Sequence, residues 1–250
     1  MGTVQLIPVD GIPEVRPGDD LAALLLAALA SAGERLQPGD VLAVAQKVVS
    51  KSEGRLRRIS AVVPGARALA MADESGRDPR LLEIVLGETE RVVRWTRGVL
   101  IVETHHGFVC ANAGVDQSNA GAEDTVVLLP LDPDASAARL RDALRSACGI
   151  DVPVVVTDTF GRAWREGHLN VAIGISGLPA LRRYAGQVDP DGHELRVTEI
   201  AVADEVAAAS ELVMGKLDRR PAAIVRGLRL ASPAETAREY IRPAERDMFR

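Results

Sequence analysis

Residues 157–165, TDTFGRAWR, bring an acid, a hydroxyl and two arginines together directly after the apolar run Val152–Val156. The run reads as a buried strand that projects Asp158 and Thr159 at its C-terminal end. Gly161 turns the chain, with Arg162 and Arg165 on either side. Open sheets bind ligands at the C-terminal ends of their strands, and carboxylate and hydroxyl oxygens beside forked cations suit a metal and a phosphate. The plain alternative is a strand with a solvated, salt-bridged turn. A second stretch, NAGVDQSNAG at 112–121, presents Asp116, Gln117, Ser118 and Asn119 between glycines. Small residues there let the backbone approach a ligand, although an Asx-type turn has the same composition. Asp116 paired with Asp158 suits Mg²⁺ or Mn²⁺, which take hard oxygen ligands and leave positions for phosphate. Zinc fits poorly, because no close His or Cys cluster accompanies the acids.

A third stretch, AQKVVSKSEGR at 45–55, carries Lys47, Ser50, Lys51 and Ser52 in a polar loop expected after a strand; such a set suits the cradling of a phosphate, and a solvated polar loop is the plain alternative. It is not a P-loop: neither GxxxxGK[ST] nor GxGxxG occurs in the chain. The chain has 27 arginines and three lysines, Lys47, Lys51 and Lys216. Where arginine would serve, arginine stands, so these compact ammonium groups are candidates for specific roles. His105 and His106 fall at an expected hairpin tip, where exposed turn histidines are the plain reading. No Ser-His-Asp or Cys-His set can be assembled.

The elements that position these groups read as mixed α and β. Strands are expected at Val41–Ala45, Thr125–Leu129, Val171–Ser176 and Pro221–Arg226, with a hairpin of Val99–Glu103 and Phe108–Ala111. Helices are expected over Leu21–Leu29 capped by Asp19 or Asp20, over 66–94 with a break at Gly76–Pro79, over Asp132–Ala147 ended by Gly149, and over Val197–Gly215. Residues 233–250 read as a partly exposed helical tail of a single unit spanning 1–250, with no repeat or linker. Only seven of 250 residues are aromatic, so the core must be aliphatic. The net charge of −5 argues against an electrostatic nucleic-acid binder. The N-terminal residues lack a secretory pattern and no apolar run is long enough for a bilayer, so a cytoplasmic, non-membrane setting is expected. Cys110 and Cys148 are expected as buried free thiols.

Seven segments taken in order resemble the coenzyme F-420 γ-glutamyl ligase family: LIPVDGIPEVRPGDDL, PGDVLAVAQKVVSKSEGR, ETHHGFVCANAGVDQSNAG, LLPLDPDASAARLR, VTDTFGRAWREG, YAGQVDPDGHELRVTEIAVADEVAAASELVMGK and PAAIVRG. The resemblance implies an unusual α+β mixed-sheet fold forming an intertwined homodimer. It implies a GTP-dependent ligase that adds L-glutamate to the lactyl carboxylate of a phosphodiester-linked 7,8-didemethyl-8-hydroxy-5-deazaflavin, with further glutamates joined through γ-linkages. Two divalent cations, Mg²⁺ or Mn²⁺, are implied, with a monovalent cation such as K⁺ as an aid. Ile12, Pro13, Glu14 and Val15 match the family's first GTP-contacting turn, Lys51 its phosphate-contacting lysine and Asn119 its GTP-contacting asparagine. Asp116 and Asp158 match the acids of one metal, and Thr159 a ligand of the second. Gln46 stands where a serine or threonine contact to GTP is expected; its amide is able to bond a phosphate or ribose instead. Arg162 and Arg165 are expected to grip a phosphodiester or carboxylate. With the chain ending at Arg250, the reductase-like domain of some bacterial members is not expected. A metal-dependent phosphatase or nucleotidyl-transferring enzyme, and a non-catalytic dimer that binds GTP or a deazaflavin, are the alternatives.

Overall fold

The structure, a computed structural model, describes residues 2–96, 98–117, 124–230 and 234–247. In chain order its elements begin with β1 (Gln5–Pro8), α1 (Leu21–Ser31), β2 (Val41–Ala45), α2 (Gln46–Ser52) and β3 (Leu56–Arg58). They continue with α3 (Ala66–Ser75), α4 (Pro79–Gly87), β4 (Thr89–Thr96), β5 (Val99–Thr104), β6 (Val109–Ala111), β7 (Thr125–Val127) and α5 (Pro133–Cys148). The rest are β8 (Val154–Arg162), β9 (Arg165–Ser176), β10 (Leu181–Arg183), β11 (Glu199–Ala201), α6 (Val202–Met214) and β12 (Ala222–Arg226). The class is α+β.

The central sheet has the order β1-β12-β2-β8-β9. Only β2 and β8 run parallel, Ala45 opposite Thr157; the other neighbours are antiparallel. A strand covered on both faces must be apolar at every position rather than alternately, and β2, VLAVA, is of this kind. Leu42 and Val44 face one apolar cluster with Leu25 of α1 and Leu144 of α5. Val41 and Ala43 face another with Val206 of α6. Val154 and Val156 against Val155 divide β8 in the same way. Burying each such valine contributes about 1.5–3 kcal/mol. Helix α5 comes so close to β9 that a Cβ on Gly174 would collide with the Pro133 backbone carbonyl. A smaller sheet, β4-β5-β6, packs with α3 and α4 around Leu82, Val85, Leu100 and Val102.

Aspartates start the helices as their types require: Asp20 accepts from the Ala23 N–H, Asp78 from Arg80 and Asp132 from Ala135. Gly149 ends α5 with φ 73°. Four expectations are corrected. The polar loop after β2 is instead helix α2, because Val49 packs into the core and Gln46, Ser50 and Lys51 are also buried. The helical reading of 66–94 fails at Thr89, where β4 pairs with β5. Helix α6 starts at Val202, not Val197, after the short strand β11. The tail is built from 3₁₀ turns at Ala237–Tyr240 and Ala244–Arg246, not an α-helix. No helix among the described residues is long and apolar enough to cross a membrane.

Candidate functional site

Helix α2 leaves β2 without a linker, and β2 lies beside β8, so α2 starts next to the segment that carries Asp158. Lys47 and Lys51, four residues apart, share one face of α2. Lys47 Nζ lies 2.7 Å from Asp116 Oδ2. Lys51 is buried and its ammonium pairs with the Glu14 carboxylate. The turn Ile12–Val15 is thereby pinned over α2: Val15 is buried, Ile12 packs on the core, and Pro13 and Glu14 are exposed. Asp116 reaches Lys47 from a chain bent through left-handed backbone at Asn112 (φ 52°) and Ala113 (φ 54°), and its own backbone is bridged to Val127. Non-glycine residues with such φ cost of order 1 kcal/mol or more and persist where the surroundings hold them.

Asp158 is half-buried on β8. Burial, and after it the Asp116 charge, push its carboxyl up to about 7, against Lys216 and Lys47, which favour the ionised form. The neighbouring Thr159 donates its hydroxyl proton to Asn170 Oδ1 at 2.7 Å. Asn170, buried on β9, donates from Nδ2 to Glu211 Oε2 at 2.8 Å. Lys216, just past α6, donates to the Thr159 hydroxyl and lies 3.5 Å from Glu211 Oε1. All three lysines of the chain thus stand on the acids and hydroxyl of one region or on the turn beside it.

The expectation that Asp158 and Thr159 leave a strand end is corrected. β8 continues to Arg162, with Asp158 opposite Val171 and Thr159 opposite Asn170. The turn belongs to Ala163 and Trp164, whose φ is 59°. Arg162 and Arg165 therefore face each other across a hairpin tip four and seven residues beyond Asp158, and Arg162 donates to the Glu166 carbonyl. The tip does not bring them onto the acid cluster by strand geometry alone, since four residues of strand span about 13 Å. Gln46 is buried, and its side-chain oxygen accepts from Ser50. Asn119 lies outside the described residues. His105 bonds Glu90, and His106 bonds the Pro130 carbonyl and stacks on Phe108. Sequence reasoning missed Asn170 and Glu211 and gave Lys216 no role. Only the scarcity of lysine pointed to Lys216, and nothing local marks the other two.

A family model described as F420-0:Gamma-glutamyl ligase matches residues 11–227. This chain belongs to that family. A relative from Methanopyrus kandleri is 46% identical over 100% of both chains. One from Methanothermobacter thermautotrophicus is 42% identical over 99% of both. A third, from Archaeoglobus fulgidus, is 42% identical over 99% of this chain and 96% of its own. Each is named coenzyme F420:L-glutamate ligase. In this member of the F420-0:γ-glutamyl ligase family the donors fit a hard divalent cation. Asp116 opposes the ionisation of Asp158, and a positive charge between two carboxylates relieves that opposition. No group of three or more His, Cys, Asp or Glu able to hold a metal occurs among the described residues. Asp116, Asp158 and the Thr159 hydroxyl are instead a smaller set of hard oxygen groups, the donor type that Mg²⁺ or Mn²⁺ takes.

Proposed function

We propose that this chain is a GTP-dependent ligase that joins L-glutamate through an amide to F420-0, the deazaflavin phospholactate, and adds further glutamates by γ-linkage. The observation that carries the reading is the gathering of the only three lysines around Asp116, Asp158, Thr159 and the Glu14 turn. Phosphoryl transfer is catalysed mainly by positioning and charge neutralisation, and a surface otherwise served by arginine reserves its point charges for this region.

In this reading a carboxylate oxygen of F420-0 attacks the γ-phosphorus of GTP, the bond to the bridging oxygen breaks, and GDP leaves. The glutamate amine then attacks the acyl-phosphate carbonyl, phosphate leaves with the bonding pair, and the amine gives up a proton. Lys51, buried beside the Ile12–Val15 turn, neutralises the nucleotide phosphates. Lys47 and Lys216 neutralise charge around Asp116 and Thr159. Asn170 accepts the Thr159 hydroxyl proton, which leaves the Thr159 oxygen to accept from Lys216 or to meet a cation. Mg²⁺ or Mn²⁺ held by Asp116 and Asp158, and a second by Thr159 with K⁺ as an aid, would add electrostatic stabilisation of the phosphates. Arg162 and Arg165 serve the phosphodiester or a glutamate carboxylate only if the hairpin tip is covered by substrate or a second copy. The reading includes the homodimer and a cytoplasmic setting.

The test is incubation with GTP, Mg²⁺, F420-0 and L-glutamate, followed by mass spectrometry. A gain of one glutamyl residue that requires both GTP and glutamate is expected. GTP or phosphoester cleavage without that product supports the phosphatase or nucleotidyl-transfer alternative, and binding alone supports a non-catalytic dimer.

A further inference from the structure

Beside the acid cluster, a cavity of about 270 Å³ opens between the β5–β6 turn, the β8–β9 hairpin and residues 240–242. Phe108, Phe160 and Tyr240 form its walls. They are three of only seven aromatic residues in the chain, and none of the buried hydrophobic core among the described residues is Phe, Tyr or Trp. The fully buried core is left to aliphatic side chains, and these three rings are partly buried: they back onto that core and turn their remaining surface to the open space. Aromatic rings pair with other rings in offset or edge-on geometry. Phe108 and Phe160 stand edge to face at 6.3 Å, and His106 stacks behind Phe108 at 5.8 Å.

The walls are preformed. The Tyr240 hydroxyl donates to the Ala180 carbonyl at 2.7 Å and accepts from the Ala203 N–H at 3.1 Å, which fixes its ring. Ile241 presses on the β5–β6 turn where Gly107 has φ +92°, so closely that a Cβ there would lie 2.8 Å from Ile241 Cδ1. Asp204, with one oxygen on the Ala172 N–H at 2.9 Å, gives the apolar surface a hydrogen-bond acceptor. Pockets of this make-up, apolar with a few fixed polar groups, take small organic ligands. Phe160 shares a face of β8 with Asp158, two residues or about 7 Å away, and the wall residue Val171 is the strand partner of Asp158.

We propose that this cavity seats the planar heteroaromatic ring of the acceptor substrate, with the tail that bears the reacting carboxylate running past Phe160 to the Asp158 cluster. The proposal rests on the ligase reading and deepens it by locating the deazaflavin ring in a cavity that Lys51 does not line, which leaves Lys51 to the nucleotide.

The probe is the 8-hydroxy-5-deazaflavin ring with its ribityl chain but no phospholactate, titrated calorimetrically into the full chain. Binding to the parent is expected, about tenfold weaker in Phe160→Leu and Phe108→Leu, with GTP affinity unchanged. Ile241→Trp, which adds bulk to the cavity from the tail beside the β5–β6 turn, is expected to block the probe, and with its Tm recorded it decides the matter if a leucine variant fails to fold. Parental affinity in all three variants overturns the proposal, as does displacement of the probe by guanosine or a change in oligomeric state without a change in probe affinity. Ring binding that follows these variants in a protein that never ligates glutamate upholds the cavity and removes the ligase reading. Normal ligation with an unchanged KM for F420-0 in all three does the reverse.

Discussion

Asn170 joins two oxygens of the site through one amide, and its removal has a calculable cost. Its Oδ1 accepts from Thr159 and its Nδ2 donates to Glu211, at 2.7 and 2.8 Å. Asn170→Ala deletes a neutral hydrogen bond of about 0.5–1.5 kcal/mol and one to a charged group of about 1.5–3 kcal/mol. The Glu211 side chain is 27% exposed, so water recovers part of the second loss. The expected net cost is about 2 kcal/mol, which for a chain of this length lowers Tm by about 4–8 °C. Activity should fall further than stability at the assay temperature, because Thr159 and Glu211 lose their orientation. Loss of groups that orient ligands typically costs about 10–100-fold. Asn170→Asp keeps the shape and the acceptor but sets a carboxylate against Glu211, so its kcat should be at least as low. The assay is kcat and KM for GTP and F420-0 across an Mg²⁺ titration, with calorimetric Tm alongside. If both variants keep kcat and metal dependence within about twofold of the parent while Tm falls as stated, Asn170 is a structural amide and the positioning role is refuted.

Asp40 is 1% exposed and meets Arg226 bidentately, with Nε–Oδ1 at 2.8 Å and a second bond at 2.9 Å, tying the end of β12 to the entry of β2. Asp40→Ala removes both of these bonds but leaves Arg226 the Glu34 carboxylate and the Arg35 carbonyl, and should cost about 1.5–3 kcal/mol in urea unfolding; a loss below about 0.5 kcal/mol contradicts this. The Arg141 guanidinium holds the Asp151 carboxyl below its ordinary 3.8. Its contribution is therefore present above pH 3.8 and lost as pH falls through the lower folded value. With Asp151 half exposed the pair contributes at most about 0.5 kcal/mol, so Asp151→Asn should melt slightly below the parent at pH 7, and the gap should close as pH falls below 3.8. Burial, then the Asp158 charge, push the Cys110 thiol up to about 12. Alkylation at pH 8 should consequently label at most the half-buried Cys148 until the protein unfolds, and rapid labelling of both thiols in the folded protein would contradict that burial.

Segments with one dominant local signal were legible in the sequence. The uninterrupted VLAVA of β2 marked a strand, and Asp132 and Gly149 bracketed α5 by cap chemistry. β8 was not legible past Val156, because TDTFGR has the composition of a turn. Only its pairing with β9, invisible locally, keeps it extended. Helix α2 looked like a loop because it is short and rich in polar residues, three of which the fold nonetheless buries. Within the site, Asp116, Asp158 and Thr159 were marked by residue type beside glycines and strands. Asn170 and Glu211 were not, since they reach Thr159 from 11 and, through Asn170, a further 41 residues along the chain. The cavity aromatics carried a signal in their scarcity that becomes readable only once folding has gathered them.

The measurement that bears most directly on the site is GTP-dependent glutamylation of F420-0 by the parent and by Asp158→Asn, followed by mass spectrometry, with Tm of both recorded. The parent should form a glutamyl product only when GTP, Mg²⁺ and glutamate are all present. The variant should fold and form none, because an amide replaces the carboxylate that opposes Asp116 and faces Lys47 and Lys216. Ligation by Asp158→Asn at the parental rate, or a parent that cleaves GTP without making the glutamyl product, would contradict it.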